Sequence, residues 1–176
     1  MSHPVDPSLQ IGLPPVLGQT ARILILGSMP GVASLEAQAY YAHPRNAFWL
    51  LLGELIGLDP AAPYPERLAA LTAADLALWD VIGACRRRGS LDSAIDPDSI
   101  VVNDVAGLVR RTPTLRTIIT NGGLAARLYR RHLAPQLPTT DWLALPSTSP
   151  ANARGGLEGK RRAWTALQAA LQRSPC

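Results

Sequence analysis

The chain has 176 residues, 47% of them apolar and 17% charged, which excludes a disordered polymer and suits one domain with a substantial core. Its net charge of +4 and pI of about 9.6 lean toward an anionic partner. Two cysteines, Cys85 and Cys176, exclude a disulfide framework or a four-cysteine metal cluster, and no stretch of about 18 apolar residues offers a membrane span.

Residues 1–20 are proline-rich and lack the basic start and apolar centre of a signal peptide. They are expected to lie as an extension over the surface of a single domain, 21–176, in a cytoplasmic protein (nucleoid-associated in a prokaryote). A first strand is predicted over 22–27 (RILILG). Phe48, Leu51, Leu52, Leu55 and Ile56 then recur at i, i+3, i+4, i+7, i+8 and predict a helix. A second strand is predicted over 76–82 (LALWDVI). Asp96 followed by Pro97 reads as an N-cap with proline at N1, opening a helix through Val101, Val105, Leu108 and Val109. The third strand, 115–120 (LRTIIT), precedes a helix marked by Leu124, Leu128 and Tyr129. The fourth, 141–145 (DWLAL), precedes a helix marked by Trp164, Leu167 and Leu171. Continuous apolar strands alternating with helices predict an α/β fold, a three-layer α/β/α sandwich around a central four-stranded, mostly parallel sheet.

Ligands of open parallel sheets bind beyond the carboxyl ends of the strands. Four segments are therefore informative: GSMPG (27–31), GACRRRGS (83–90), TNGG (120–123) and LPSTSPANARGG (145–156). GSMPG matches neither the dinucleotide nor the phosphate-loop glycine pattern, but its glycines let a ligand approach the backbone. Arg86, Arg87 and Arg88, with Arg45, Arg154, Lys160, Arg161 and Arg162, would share one edge of such a sheet and suit phosphate contacts. Asn121 reads as an N-cap. HPRNAFW (43–49) crowds a histidine, an asparagine and two aromatics behind the first turn.

Together, GSMPG, YYAHPRNAFW, LWDVIGACRRRGSLDSAI, TNGG and LPSTSPANA resemble the uracil-DNA glycosylase superfamily, most closely its hypoxanthine (deoxyinosine) glycosylase branch, family 6. GSMPG stands at its first motif and LPSTSPAN at its second, over a stretch from Ile23 to Trp164. Two positions depart from the better-known branches. Met29 stands where an Asp or Asn handles water, and Leu145 where a His or Asn donates to the leaving base. The resemblance therefore implies that Asn46 is the essential residue. It implies a monofunctional DNA glycosylase of base excision repair that hydrolyses the N-glycosidic bond of a flipped deaminated base, hypoxanthine foremost.

On this reading Asn46 orients water or hydrogen-bonds the leaving base, against its plain role as a helix cap. Asp80 contacts the base or organises the pocket; His43 assists a purine leaving group or fixes its turn. Gly27, Ser28, Met29, Pro30, Tyr41 and Phe48 would bind the base, Phe48 by stacking or else as core. Arg45, Arg86, Arg87, Arg88, Pro146, Ser147, Thr148, Ser149, Asn152 and Arg154 would contact DNA. The loop from Thr148 to Asn152 carries no large wedge, so intercalation from it should be weak. His3, His43 and His132 are scattered, so no metal is expected, and the hydrolysis needs no cofactor. The expected partner is double- or single-stranded DNA containing a deaminated base, engaged by a monomer. Two readings compete: a mismatch-specific uracil or thymine glycosylase, and a non-catalytic damaged-DNA binding module.

Overall fold

The computed structural model describes residues 8–173. In chain order the elements are β1 (Leu9–Ile11), β2 (Ile23–Gly27), α1 (Val32–Ala37), α2 (Phe48–Ile56), α3 (Tyr64–Ala73), β3 (Leu76–Asp80), β4 (Ile82–Arg86), β5 (Val101–Val102), α4 (Val105–Arg111), β6 (Thr117–Asn121), α5 (Gly123–Leu128), β7 (Asp141–Leu145) and α6 (Gly156–Gln172). Four strands form a parallel sheet in the order β3-β2-β6-β7. Strand β2 is buried along its whole length, as a central parallel strand must be. Its residues alternate between two cores: Leu24 and Leu26 face α4 and α5, while Ile23 and Ile25 face α2, α3 and α6. The result is the expected three-layer sandwich.

The predicted strand over 76–82 is two strands. At Val81 the chain leaves the parallel sheet, and β4 pairs antiparallel with β1 and β5 in a second, three-stranded sheet. Asn103 holds this corner, its Nδ2 donating to Asp80 O (2.9 Å) and its backbone N–H to Val81 O (2.9 Å). The segment 8–20 belongs to the fold rather than lying over it: β1 pairs with β4, and Leu13 is buried in the core. Residues 1–7 lie outside the described chain, as does Cys176.

The helix expected from Asp96 does not form there. Asp96 caps only a 3-10 turn (Pro97–Ser99), and β5 follows before Asp104 caps α4 through Gly107 N–H (2.9 Å). Two β-branched residues, Val101 and Val102, pair with β4 instead of continuing the turn. The stripe from Phe48 to Ile56 forms α2 with the expected bounds and ends at Gly57 in the left-handed region.

Candidate active site

The carboxyl ends of β2, β3, β6 and β7 open into a cleft of about 740 Å³, a volume that accommodates a nucleoside-sized ligand. Its floor is set by Gly27, in register with Asp80 on β3. A methyl group at Gly27 would overlap Asp80 Oδ1 and lie 3.4 Å from the Tyr41 hydroxyl, so glycine lets these two groups close on the strand end. Asp80 Oδ2 and the Tyr41 hydroxyl are both buried without a hydrogen-bond partner among the described residues. Groups left this way each cost about 1–3 kcal/mol, and a ligand that pairs with them recovers that cost. Burial, reinforced by the charge of Asp92 and opposed by Arg87, pushes the Asp80 carboxyl up to about 7. The Tyr41 phenol is likewise pushed upward by burial and by Asp80, against the neighbouring Asn121 side chain, which lowers it without meeting the hydroxyl in hydrogen-bond geometry.

Tyr41 holds a left-handed backbone conformation (φ 56°) and lies flat on Phe48, ring centroids 3.8 Å apart. This corrects one expectation. Phe48 is fully buried between Tyr41, Trp49 and Trp164 and does not line the cleft. The aromatic face in the cleft belongs to Tyr41, with Phe48 behind it.

Asn46 lines the cleft just before α2. Its Oδ1 accepts from Phe48 N–H (3.0 Å) in an Asx turn that leads into α2, whose N-cap is Ala47 rather than Asn46, while its Nδ2 makes no hydrogen bond to the described residues. The side chain therefore presents a free amide donor. His43 Nδ1 accepts from Arg45 N–H (3.1 Å), which places the proton of the neutral ring on Nε2. His43 thus fixes its turn and is also a donor on the cleft wall.

Residues far apart in sequence hold the second motif. Asn121 ends β6 and bridges Thr148 twice, accepting from its N–H (2.9 Å) and donating to its Oγ1 (3.0 Å). Thr148 is fully buried by this clamp, and its carbonyl accepts from Ala47 N–H (3.0 Å). The sequence placed Thr148 among the residues that contact DNA; its complete burial leaves no surface for that contact. Gly122, with φ 105°, caps α5 in place of Asn121, and a Cβ there would stand a tight 3.0 Å from Ser147 Cβ. From α6, Lys160 Nζ donates to Ser149 O (3.0 Å) and Trp164 Nε1 to Pro146 O (3.0 Å). Ser147, Ser149 and Asn152 line the open side of the loop.

The arginines divide. Arg45, Arg88 and Arg154 are exposed, their side chains unpaired among the described residues, and Arg86 makes only an exposed ion pair with Asp96 (3.3 Å). Arg87 is buried, contrary to expectation. It donates to Gln10 Oε1 (2.8 Å), Ser90 O (3.3 Å) and Pro30 O, and so fastens the first motif to the loop after β4. Ser28 Oγ adds a bond to Asp92 (2.8 Å) on that loop. Lys160 and Arg161 are also engaged within the fold, Arg161 on Glu54. Met29 is buried at the cleft wall. Leu145 is buried in the core on the other face of the sheet, with Phe48 and Trp164, and does not line the cleft, so neither departed position offers a polar group.

The family model of the uracil DNA glycosylase superfamily matches residues 14–168. The chain belongs to the uracil DNA glycosylase superfamily. That makes it a DNA glycosylase, a hydrolase of N-glycosyl bonds. Within the superfamily it is 40% identical over 158 residues to a hypoxanthine DNA glycosylase of Methanosarcina acetivorans, covering 89% of this chain and 96% of that one. It is 42% identical over 112 residues to the hypoxanthine DNA glycosylase of Methanosarcina barkeri, covering 63% and 70%. The solution NMR structure of a candidate uracil DNA glycosylase from Methanosarcina acetivorans superposes with a TM-score of 0.80 at 36% identity, over 94% of this glycosylase and 99% of that chain. Among its described residues, no group of three or more His, Cys, Asp or Glu side chains is arranged to hold a metal ion, and no helix is long and apolar enough to cross a membrane.

Proposed function

We propose that this glycosylase is monofunctional, that it removes hypoxanthine from deoxyinosine in DNA in preference to other bases, and that it acts as a cytoplasmic monomer. The observation that carries this reading is the meeting of three unsatisfied groups in one cleft: Asp80 Oδ2, the Tyr41 hydroxyl and Asn46 Nδ2. A neutral carboxyl offers a donor beside an acceptor. That pair matches a lactam edge, N1–H beside O6 in hypoxanthine and N3–H beside O4 in uracil, whereas a carboxylate would repel the carbonyl oxygen; the choice of hypoxanthine rests on the relatives named above.

The target nucleotide leaves the stack and its base lies against the Tyr41 ring, which Phe48 backs. Asp80 holds the base edge. Water adds its oxygen to C1′ as the bond from C1′ to N9 breaks, and the bonding electrons leave with the base. Asn46 Nδ2 and His43 Nε2–H donate to the charge that develops there, a positioned electrostatic effect rather than base catalysis. The proton lost by the water ends on the released base, leaving an abasic sugar. Arg45, Arg88, Arg154 and the loop of Ser147, Ser149 and Asn152 hold the flanking phosphates.

The test is incubation with a labelled duplex carrying one deoxyinosine, followed by alkali, beside substrates containing uracil, mismatched thymine or xanthine. Strand cleavage fastest at inosine is expected. Faster cleavage at uracil would give the substrate to the uracil branch, and a retarded band without cleavage would make the protein a binding module.

A further inference from the structure

Resting on the glycosylase reading, we propose that Leu91 is the wedge that enters the duplex when the base is extruded. Of the exposed large apolar side chains among the described residues, Leu91 alone lines the cleft, and it is 55% exposed. An isolated surface leucine carries no message; one at the mouth of a base-sized cleft has an apolar space to fill once a base leaves its stack. The loop after β7 offers only Ser, Thr, Pro, Ala and Asn at that mouth.

The backbone around Leu91 is built to bear load. Gly89 O accepts from Gln10 Nε2 (3.2 Å), and Ser90 O accepts from the buried Arg87 (3.3 Å). Ser90 Oγ accepts from Val32 N–H (2.9 Å), and Asp92 Oδ1 accepts from Ser28 Oγ (2.8 Å). Both neighbours of Leu91 are thus tied to the first motif while its side chain projects from a short fixed arch. Exposed Arg88, just before the arch, suits a phosphate beside the opened step. The arch is tied to the segment after β2 and the second motif follows β7, with β6 between those strands, so the duplex would be gripped by phosphate contacts on one side of the cleft and pried from the other.

The experiment compares single-turnover release of hypoxanthine from duplex and from single-stranded DNA. Leu91→Ala is expected to lower the duplex-to-single-strand rate ratio at least tenfold, and Leu91→Phe to preserve it. Melting of both variants checks the fold. A second readout needs no chemistry: with Asn46→Ala protein, binding should raise the fluorescence of a 2-aminopurine stacked beside the inosine, and adding Leu91→Ala should abolish that rise. An unchanged ratio, equal loss on both substrates, or a fluorescence rise that survives Leu91→Ala overturns the assignment. Absence of base release by the unaltered protein would instead refute the glycosylase reading, leaving the fluorescence test to judge the wedge.

Discussion

Asn46 carries two separable duties, and a pair of substitutions divides them. Asn46→Ala removes both the oxygen that accepts from Phe48 N–H at 3.0 Å and the free amide donor. Loss of that bond at the helix entry, like loss of a cap, costs about 0.5–2 kcal/mol. In a chain of this size, at about 2–4 °C per kcal/mol, melting should fall by roughly 1–8 °C. Loss of one donor aimed at developing charge lowers the chemical step by about 10²–10³. Asn46→Ser restores a short oxygen acceptor for Phe48 N–H but reaches less far into the cleft. Its melting temperature should return toward that of the parent while its rate stays low. Single-turnover base release and thermal melting on one preparation read both quantities. An Asn46→Ala protein that melts early but releases base at the parental rate would refute the catalytic role and leave Asn46 a turn residue.

Asp80 makes stability depend on pH in an unusual direction. Its folded value of about 7 lies above its ordinary one of 3.8, so its contribution is fully present below pH 4 and is lost as pH rises toward 7. Relative to Asp80→Asn, the parent should lose stability between about pH 4 and pH 7, by at most about 4 kcal/mol at 1.36 kcal/mol per pH unit, and no more above that. Its kcat/KM should fall as pH rises through about 7, where the folded carboxyl ionises, and Asp80→Asn, which keeps a donor beside an acceptor, should flatten that fall; parallel profiles would show that Asp80 does not control the limb. The arginines should separate by assay. Arg45→Ala or Arg88→Ala should reduce the slope of log binding constant against log salt by about 0.9 for each phosphate no longer neutralised, with unchanged melting. Arg87→Ala should instead lower melting by roughly 4–12 °C, the effect of about 2–3 kcal/mol from removing its three hydrogen bonds; a changed salt slope without destabilisation would return Arg87 to the DNA surface.

The parallel sheet was legible because its strands are short apolar runs ending in turn residues, and the stripe from Phe48 to Ile56 because one face of α2 is buried. The second sheet was not, because β1 and β5 have three and two residues and alternation over so short a span says nothing. In the site, HPRN and the two loops drew attention through residue types that carry chemistry. Asn121 escaped: an asparagine ahead of a glycine pair reads as a local cap, whereas its partner is Thr148, 27 residues on. Arg87 misled for the converse reason. Three adjacent arginines on an antiparallel strand end alternate in direction, so the middle one turns inward while Arg86 and Arg88 face solvent.

The ties from α6 bear on when the enzyme becomes competent during its own synthesis. Gly27, Asn46 and Asp80 emerge in the first half of the chain, but the loop that completes the cleft is fastened by Lys160 and Trp164, and α2 is joined to the same helix by Arg161 on Glu54. A ribosome-bound chain therefore displays the chemical groups well before it can seat a base between them. Packing of α6 is therefore what fixes the last wall of the cleft.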